Sequence, residues 1–150
     1  MLLVKGNSFM YEIILVLNTL WFAMGFNAFS IRNKVFAKVL VPPAQRDTPV
    51  FAILAESGRF LGGFNLAFAI FNGLLLLNLS LFPEGAQKAL FAFVFAVAHG
   101  TQFLFNVPVA IENRRGGGVW QVLKGTMLFI FVTDFIMMTL NLILMATVAL

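Results

Sequence analysis

The chain has 150 residues, 61% of them hydrophobic, with a mean hydropathy of +0.95 and a formal net charge of +4. An ordinary soluble domain is closer to half apolar, and a chain without cysteine has no disulfide, no thiolate metal site and no cysteine nucleophile. Nucleic-acid binding is a poor account of the basic charge, because the lysines and arginines flank apolar runs instead of forming one soluble face.

The first apolar run, 11–30, is broken by Asn18, Thr19, Asn27 and Ser30. It is long for the apolar core of a signal peptide and is read as a membrane span. Tyr11 and Trp21 are available for interfacial or packing roles. In 31–40, Ile31, Val35, Phe36 and Val39 fall on one side and Arg32, Lys34 and Lys38 largely elsewhere. That pattern fits a short basic amphipathic helix on the membrane surface, or an extension of the first span. Pro42-Pro43 stops it.

Thr48-Pro49 predicts a helix start, with a hydroxyl N-cap and proline at the first helical position. This helix either halts near Ser57-Gly58 or runs on into the second span, 60–82. There Gly62, Asn65, Ala69, Asn72 and Gly73 share one face, small enough for close backbone approach. Phe60, Phe64, Phe68 and Phe71 form the other side. Pro83-Glu84-Gly85 turns the chain into the third span, 89–111, which carries the only histidine, His99. At 3.6 residues per turn, His99, Gln102 and Asn106 lie on one face.

Gly116-Gly117-Gly118 reads as a flexible hinge, without the lysine and strand–helix context of a phosphate-binding loop. Trp120 and Lys124 are expected to anchor the fourth span, 126–150, at the interface. Asp134, Met138, Asn141 and Met145 share a face of that span.

Each run matches the roughly 20 residues a helix needs to cross about 30 Å of hydrocarbon. The expected fold is one all-α integral membrane domain over 1–150. It is a four-transmembrane-helix bundle with a short basic amphipathic interfacial helix between helices 1 and 2. Eight of the ten basic residues lie in 31–59 or 112–125, leaving Lys5 and Lys88 opposite. The positive-inside rule makes those connections cytoplasmic and both termini outside, as in a bacterial inner membrane.

By depth, the polar residues fall into two layers: Asn27, Asn65, Asn106 and Asp134 nearer the cytoplasm, and Asn18, Asn72, His99 and Asn141 mid-membrane. Three helices space their pair by seven residues, hence on one face, whereas Asn18 and Asn27 are nine apart and point nearly opposite ways. Amides are expected to bond between helices. An intramembrane carboxylate is by default a functional hypothesis, so Asp134 either pairs with Arg59, is a hydrogen-bonded neutral acid, or serves a site. His99 could relay protons with Asp134, or hold haem or a chlorin beside small Ala98 and Gly100. It has no second axial ligand, and no cofactor or metal is expected.

The run Glu56-Ser57-Gly58-Arg59-Phe60-Leu61-Gly62-Gly63, followed by a third helix bearing His99, resembles small four-helix membrane proteins of the DoxX-like group. More loosely, it resembles the ergosterol-biosynthesis scaffold proteins. The resemblance covers 56–106 and implies a bundle that acts as an accessory or tethering subunit of a membrane enzyme system. The expected function is therefore a non-catalytic membrane accessory or scaffold subunit. Nineteen phenylalanines would supply aromatic faces for partner subunits or self-association, besides lipid. The alternative is a site for a small apolar ligand (isoprenoid, sterol or quinone), with Arg59, Asn65, Asn72, His99, Gln102, Asn106 and Asp134 as candidate ligand-binding residues. A proton-coupled transporter is a poorer fit, because four helices leave little room for inverted repeats unless the protein dimerises.

Overall fold

The computed structural model describes residues 2–118 and 120–149, with side chains from residue 9 onward. Its elements are α1 (Leu2–Phe26), a π-helical turn (Asn27–Ile31), α2 (Asn33–Leu40), α3 (Pro49–Leu77), α4 (Gly85–Arg114) and α5 (Gly125–Val148), with short 3₁₀ turns at Pro43–Gln45 and Leu79–Leu81. Four helical stretches are long and apolar enough to cross a bilayer: Phe9–Ile31, Pro49–Leu77, Gly85–Arg114 and Gly125–Val148. Among the described residues there is no strand. The protein is an all-α, four-span integral membrane bundle.

The helices associate as two pairs, α1 along α3 and α4 along α5, with α1 also meeting α5. An aromatic layer closes the space between the pairs. Phe22 stacks on Phe68 at 5.0 Å between ring centroids and on the His99 ring at 4.9 Å. Phe95 and Phe71 continue the layer, Phe71 meeting Phe91 edge-on at 5.7 Å. Phe103 joins α4 to Phe131 and Phe135 of α5. Outside this layer many large apolar side chains face outward, Phe60, Phe64 and Ile70 among them, while Ala69, Ala92, Ala96 and Gly62 are buried. Lipid tails are as apolar as a leucine, so burying phenylalanine gains little there, and small residues that let helices touch are kept inside. Phe68 departs from the expected outward row. It lies on the Asn65–Asn72 side of α3 and fills the gap beside Phe22.

Local chemistry explains the boundaries. Pro49 starts α3, but the Thr48 hydroxyl donates back to Gln45 O at 2.9 Å instead of capping forward. Ser57-Gly58 does not interrupt α3, because the Ser57 hydroxyl bonds Leu54 O at 2.9 Å inside the helix. The helix ends at Leu77, short of Phe82, where Asn78 turns its amide back onto Leu74 O at 2.8 Å. A capping box of Glu84 and Gln87 begins α4. Beyond α4, Gly116 and Gly118 take positive φ, and Asn113 braces the glycine turn. Its amide bonds the carbonyls of Gly117 and Trp120 and the backbone N–H of Val122. The expected hinge is therefore a tied turn.

The π-turn closes on a 2.7 Å bond from Arg32 N to Asn27 O and sends α2 back against α3 as a separate helix. Asn33 fastens it: its Nδ2 donates to Ala55 O at 3.1 Å and to Glu56 Oε1 at 3.2 Å, and its Oδ1 accepts from Lys34 N. We expect Asn33→Ala to cost about 1 kcal/mol, since part of this bonding passes to water. Thermal unfolding in detergent, with protease cleavage between α2 and α3, checks it; unchanged cleavage would mean that packing alone holds α2.

Candidate functional site

Four polar side chains from three helices meet in the core: Asn18 (α1), His99 (α4), and Asp134 and Asn141 (α5), all essentially inaccessible. Their orientation follows from one backbone carbonyl. Met137 O accepts from Asn141 Nδ2 at 2.8 Å, which fixes that amide. Asn141 Oδ1 then accepts from Asn18 Nδ2 at 3.1 Å. Asn18 Oδ1 consequently faces His99 Nε2, also at 3.1 Å, and Nε2 carries a hydrogen. On the other side of the ring, His99 Nδ1 lies 3.1 Å from Asp134 Oδ1. One proton serves that last contact, on the ring or on the carboxyl, and either arrangement leaves the pair neutral. Neutrality is what a low-dielectric bundle interior demands.

Trp21 completes the group by donating from Nε1 to Asp134 Oδ1 at 3.0 Å. Oδ1 thus has two partners, whereas the buried Oδ2 has none among the described residues. A buried acceptor left unbonded costs roughly 1–3 kcal/mol.

Asp134 and Trp21 also form part of the wall of a cavity of about 420 Å³ at the end of the bundle that carries the basic connections. Every span contributes: Met24, Ala28 and Phe29 from α1 and the π-turn, Leu61 and Asn65 from α3, Gln102, Phe105 and Asn106 from α4, and Met127, Phe129 and Ile130 from α5. Phe36 and Leu40 of α2, with Trp120, line it at the basic end. The widened π-turn matters here, because one extra residue per turn re-aims Ala28 and Phe29 relative to the helix below.

The structure brings four of the seven candidate residues to this cavity: Asn65, Gln102, Asn106 and Asp134. His99 stands behind Asp134, covered by Phe22. Both its ring nitrogens are engaged by side chains, so neither is presented to a haem or chlorin. Asn72 is buried with its amide on Phe68 O at 2.8 Å and its Oδ1 without a partner among the described residues, away from the cavity lining. Arg59 is exposed and pairs with Glu56 at 3.0 Å, one turn back on its own helix, and not with Asp134.

The amides divide as well. Asn18 and Asn141 bond between helices, but Asn65, Asn72 and Asn106 return to the carbonyls of Leu61, Phe68 and Gln102 four residues back. That local bond needs no neighbour and competes with an interhelical one. Asn27 is exposed, opposite in sense to Asn18 as its spacing predicts. Sequence alone does not assign Trp21 to Asp134, because a donor's target across the bundle leaves no periodic trace. Among the described residues, no cluster of histidines and acids could hold a metal ion. No family model, curated protein or solved structure matches the chain.

Proposed function

We propose that the protein binds a small, largely apolar molecule of the isoprenoid, sterol or quinone kind between its membrane helices. The carrying observation is the cavity itself: about 420 Å³, within the range of small-molecule sites, apolar-walled and with a few convergent polar groups. An accessory or scaffold role, of the sort the DoxX-like resemblance implies, would draw on the outward aromatic faces. A bilayer alone accounts for those faces, and such a role leaves the cavity without a use.

Both tryptophans of the chain line the cavity, so the protein carries its own probe. Retinol, an isoprenoid alcohol that accepts tryptophan excitation, should quench emission saturably in detergent micelles. Filling the cavity with Ala28→Phe should weaken that binding about tenfold or more. Quenching that never saturates, or that Ala28→Phe leaves unchanged, would count against the site.

For orientation, the eight basic residues in 31–59 and 112–125 support a cytoplasmic position for both connections, in a bacterial inner membrane with both termini outside. The cysteine-free chain permits a direct check with exposed single positions. In intact cells, an impermeant thiol reagent should label Ala86→Cys and spare Gln121→Cys; the reverse pattern inverts the topology.

A further inference from the structure

We infer that the ligand is anchored by a hydroxyl group that donates a hydrogen bond to Asp134 Oδ2. This deepens the binding-site reading above and rests on it. The two oxygens of the Asp134 carboxyl group are held differently. Oδ1 accepts from Trp21 Nε1 at 3.0 Å and shares a proton with His99 Nδ1 at 3.1 Å. Oδ2 is buried, has no partner among the described residues, and belongs to a side chain on the cavity wall.

Its chemistry does not depend on where the shared proton rests. With the proton on His99, Oδ2 is a carboxylate oxygen. With the proton on Asp134 Oδ1, Oδ2 is the carbonyl oxygen of the acid. In both forms it accepts and does not donate. A head group that only accepts (an aldehyde, ketone or ether) therefore leaves Oδ2 unbonded, whereas an alcohol, phenol or hydroquinone satisfies it. A cationic amine would also donate, but it brings an unbalanced charge to a neutral pair inside the bundle, which a hydroxyl avoids. His99 acts here as a positioning residue. By fixing Oδ1, it and Trp21 leave Oδ2 as the free acceptor.

Matched retinoids separate this inference from the site itself, because they share one polyene and differ at the head. Retinol should bind the wild-type protein about tenfold more tightly than retinal or retinyl methyl ether, read by tryptophan quenching; a bond to a charged or shared-proton acceptor supports that ratio. In Asp134→Asn the Oδ2 position becomes either a donor or a weaker neutral acceptor, so the ratio should fall to near one or below. Equal saturable affinities for all three retinoids in the wild type would overturn hydroxyl recognition while leaving the cavity as a binding site. A ratio that persists in Asp134→Asn would overturn it as well, by placing the contact elsewhere. If none of the three binds saturably, the site and the inference fall together.

Discussion

Asp134→Leu should lower the stability of the bundle by about 3 kcal/mol, more than any other single change within the polar cluster. The substitution removes the acceptor of Trp21 Nε1 and the partner of His99 Nδ1. Breaking a buried ion pair typically costs 3–5 kcal/mol, because an uncompensated charge is stranded. Here the ring can give up the shared proton and stay neutral, keeping its Nε2 hydrogen on Asn18. What is left is one unbonded donor and one unbonded acceptor, at roughly 1–3 kcal/mol each, offset in part because the unbonded Oδ2 of Asp134 is removed with the side chain.

Nor does the leucine win back hydrophobic energy, since surrounding lipid is equally apolar. Asp134→Asn, which keeps shape and one acceptor, should lose much less. In the double variant His99→Phe/Asp134→Leu both members of the His99–Asp134 pair are apolar, and stability should recover by about 1 kcal/mol or more over the sum of the losses in His99→Phe and Asp134→Leu alone. Thermal unfolding in detergent reads the wild type and these four variants. A loss below about 1 kcal/mol for Asp134→Leu would mean that the hydrogen bonds of this cluster do not hold the bundle.

How far the sequence reaches is visible in these same residues. Within one helix, periodicity is reliable. It puts Gln102 and Asn106 on a common wall, Asp134 on the inward side of α5, and Asn27 on the opposite side to Asn18. It also gives four spans, since length and hydropathy are properties of a segment alone. What periodicity cannot carry is the rotation of one helix against another, and every interhelical pairing depends on it. Arg59 and Asp134 belong to the same end of the bundle, yet Arg59 faces outward to Glu56 while Trp21 reaches the carboxylate. The π-turn adds a second obstacle. It shifts the register after Phe26 by part of a turn, and the sequence NAFSI that forms it carries no proline or glycine to announce it.

Gly62 and Gly63 make the same point through packing, and they offer the second large effect. Both sit in one glycine-rich stretch of α3, but a Cβ on Gly62 would collide with the Ser30 hydroxyl and come within 2.9 Å of the Ser30 backbone nitrogen. Rotating the serine side chain relieves only the first of these contacts. The second is main chain, so α3 must move off the π-turn, and the 3.3 Å bond from Ser30 Oγ to Arg59 O is lost with it. Overpacking of this kind costs about 1–3 kcal/mol, and we expect Gly62→Leu at the upper end. Gly63 faces outward, and a Cβ there would have nothing within 4 Å beyond its chain neighbours and its own helix backbone, so Gly63→Leu meets only lipid. It should be neutral, or stabilising by up to about 1 kcal/mol through helix propensity. The two variants differ by one residue in position and nothing in composition, and unfolding midpoints measured side by side isolate the close approach. Since Leu61 and Asn65 flank Gly62 and line the cavity, Gly62→Leu should also weaken retinol binding while Gly63→Leu leaves it alone. Equal behaviour of the two variants would mean that α3 does not rest on the π-turn, and the wall of the cavity would have to be drawn differently.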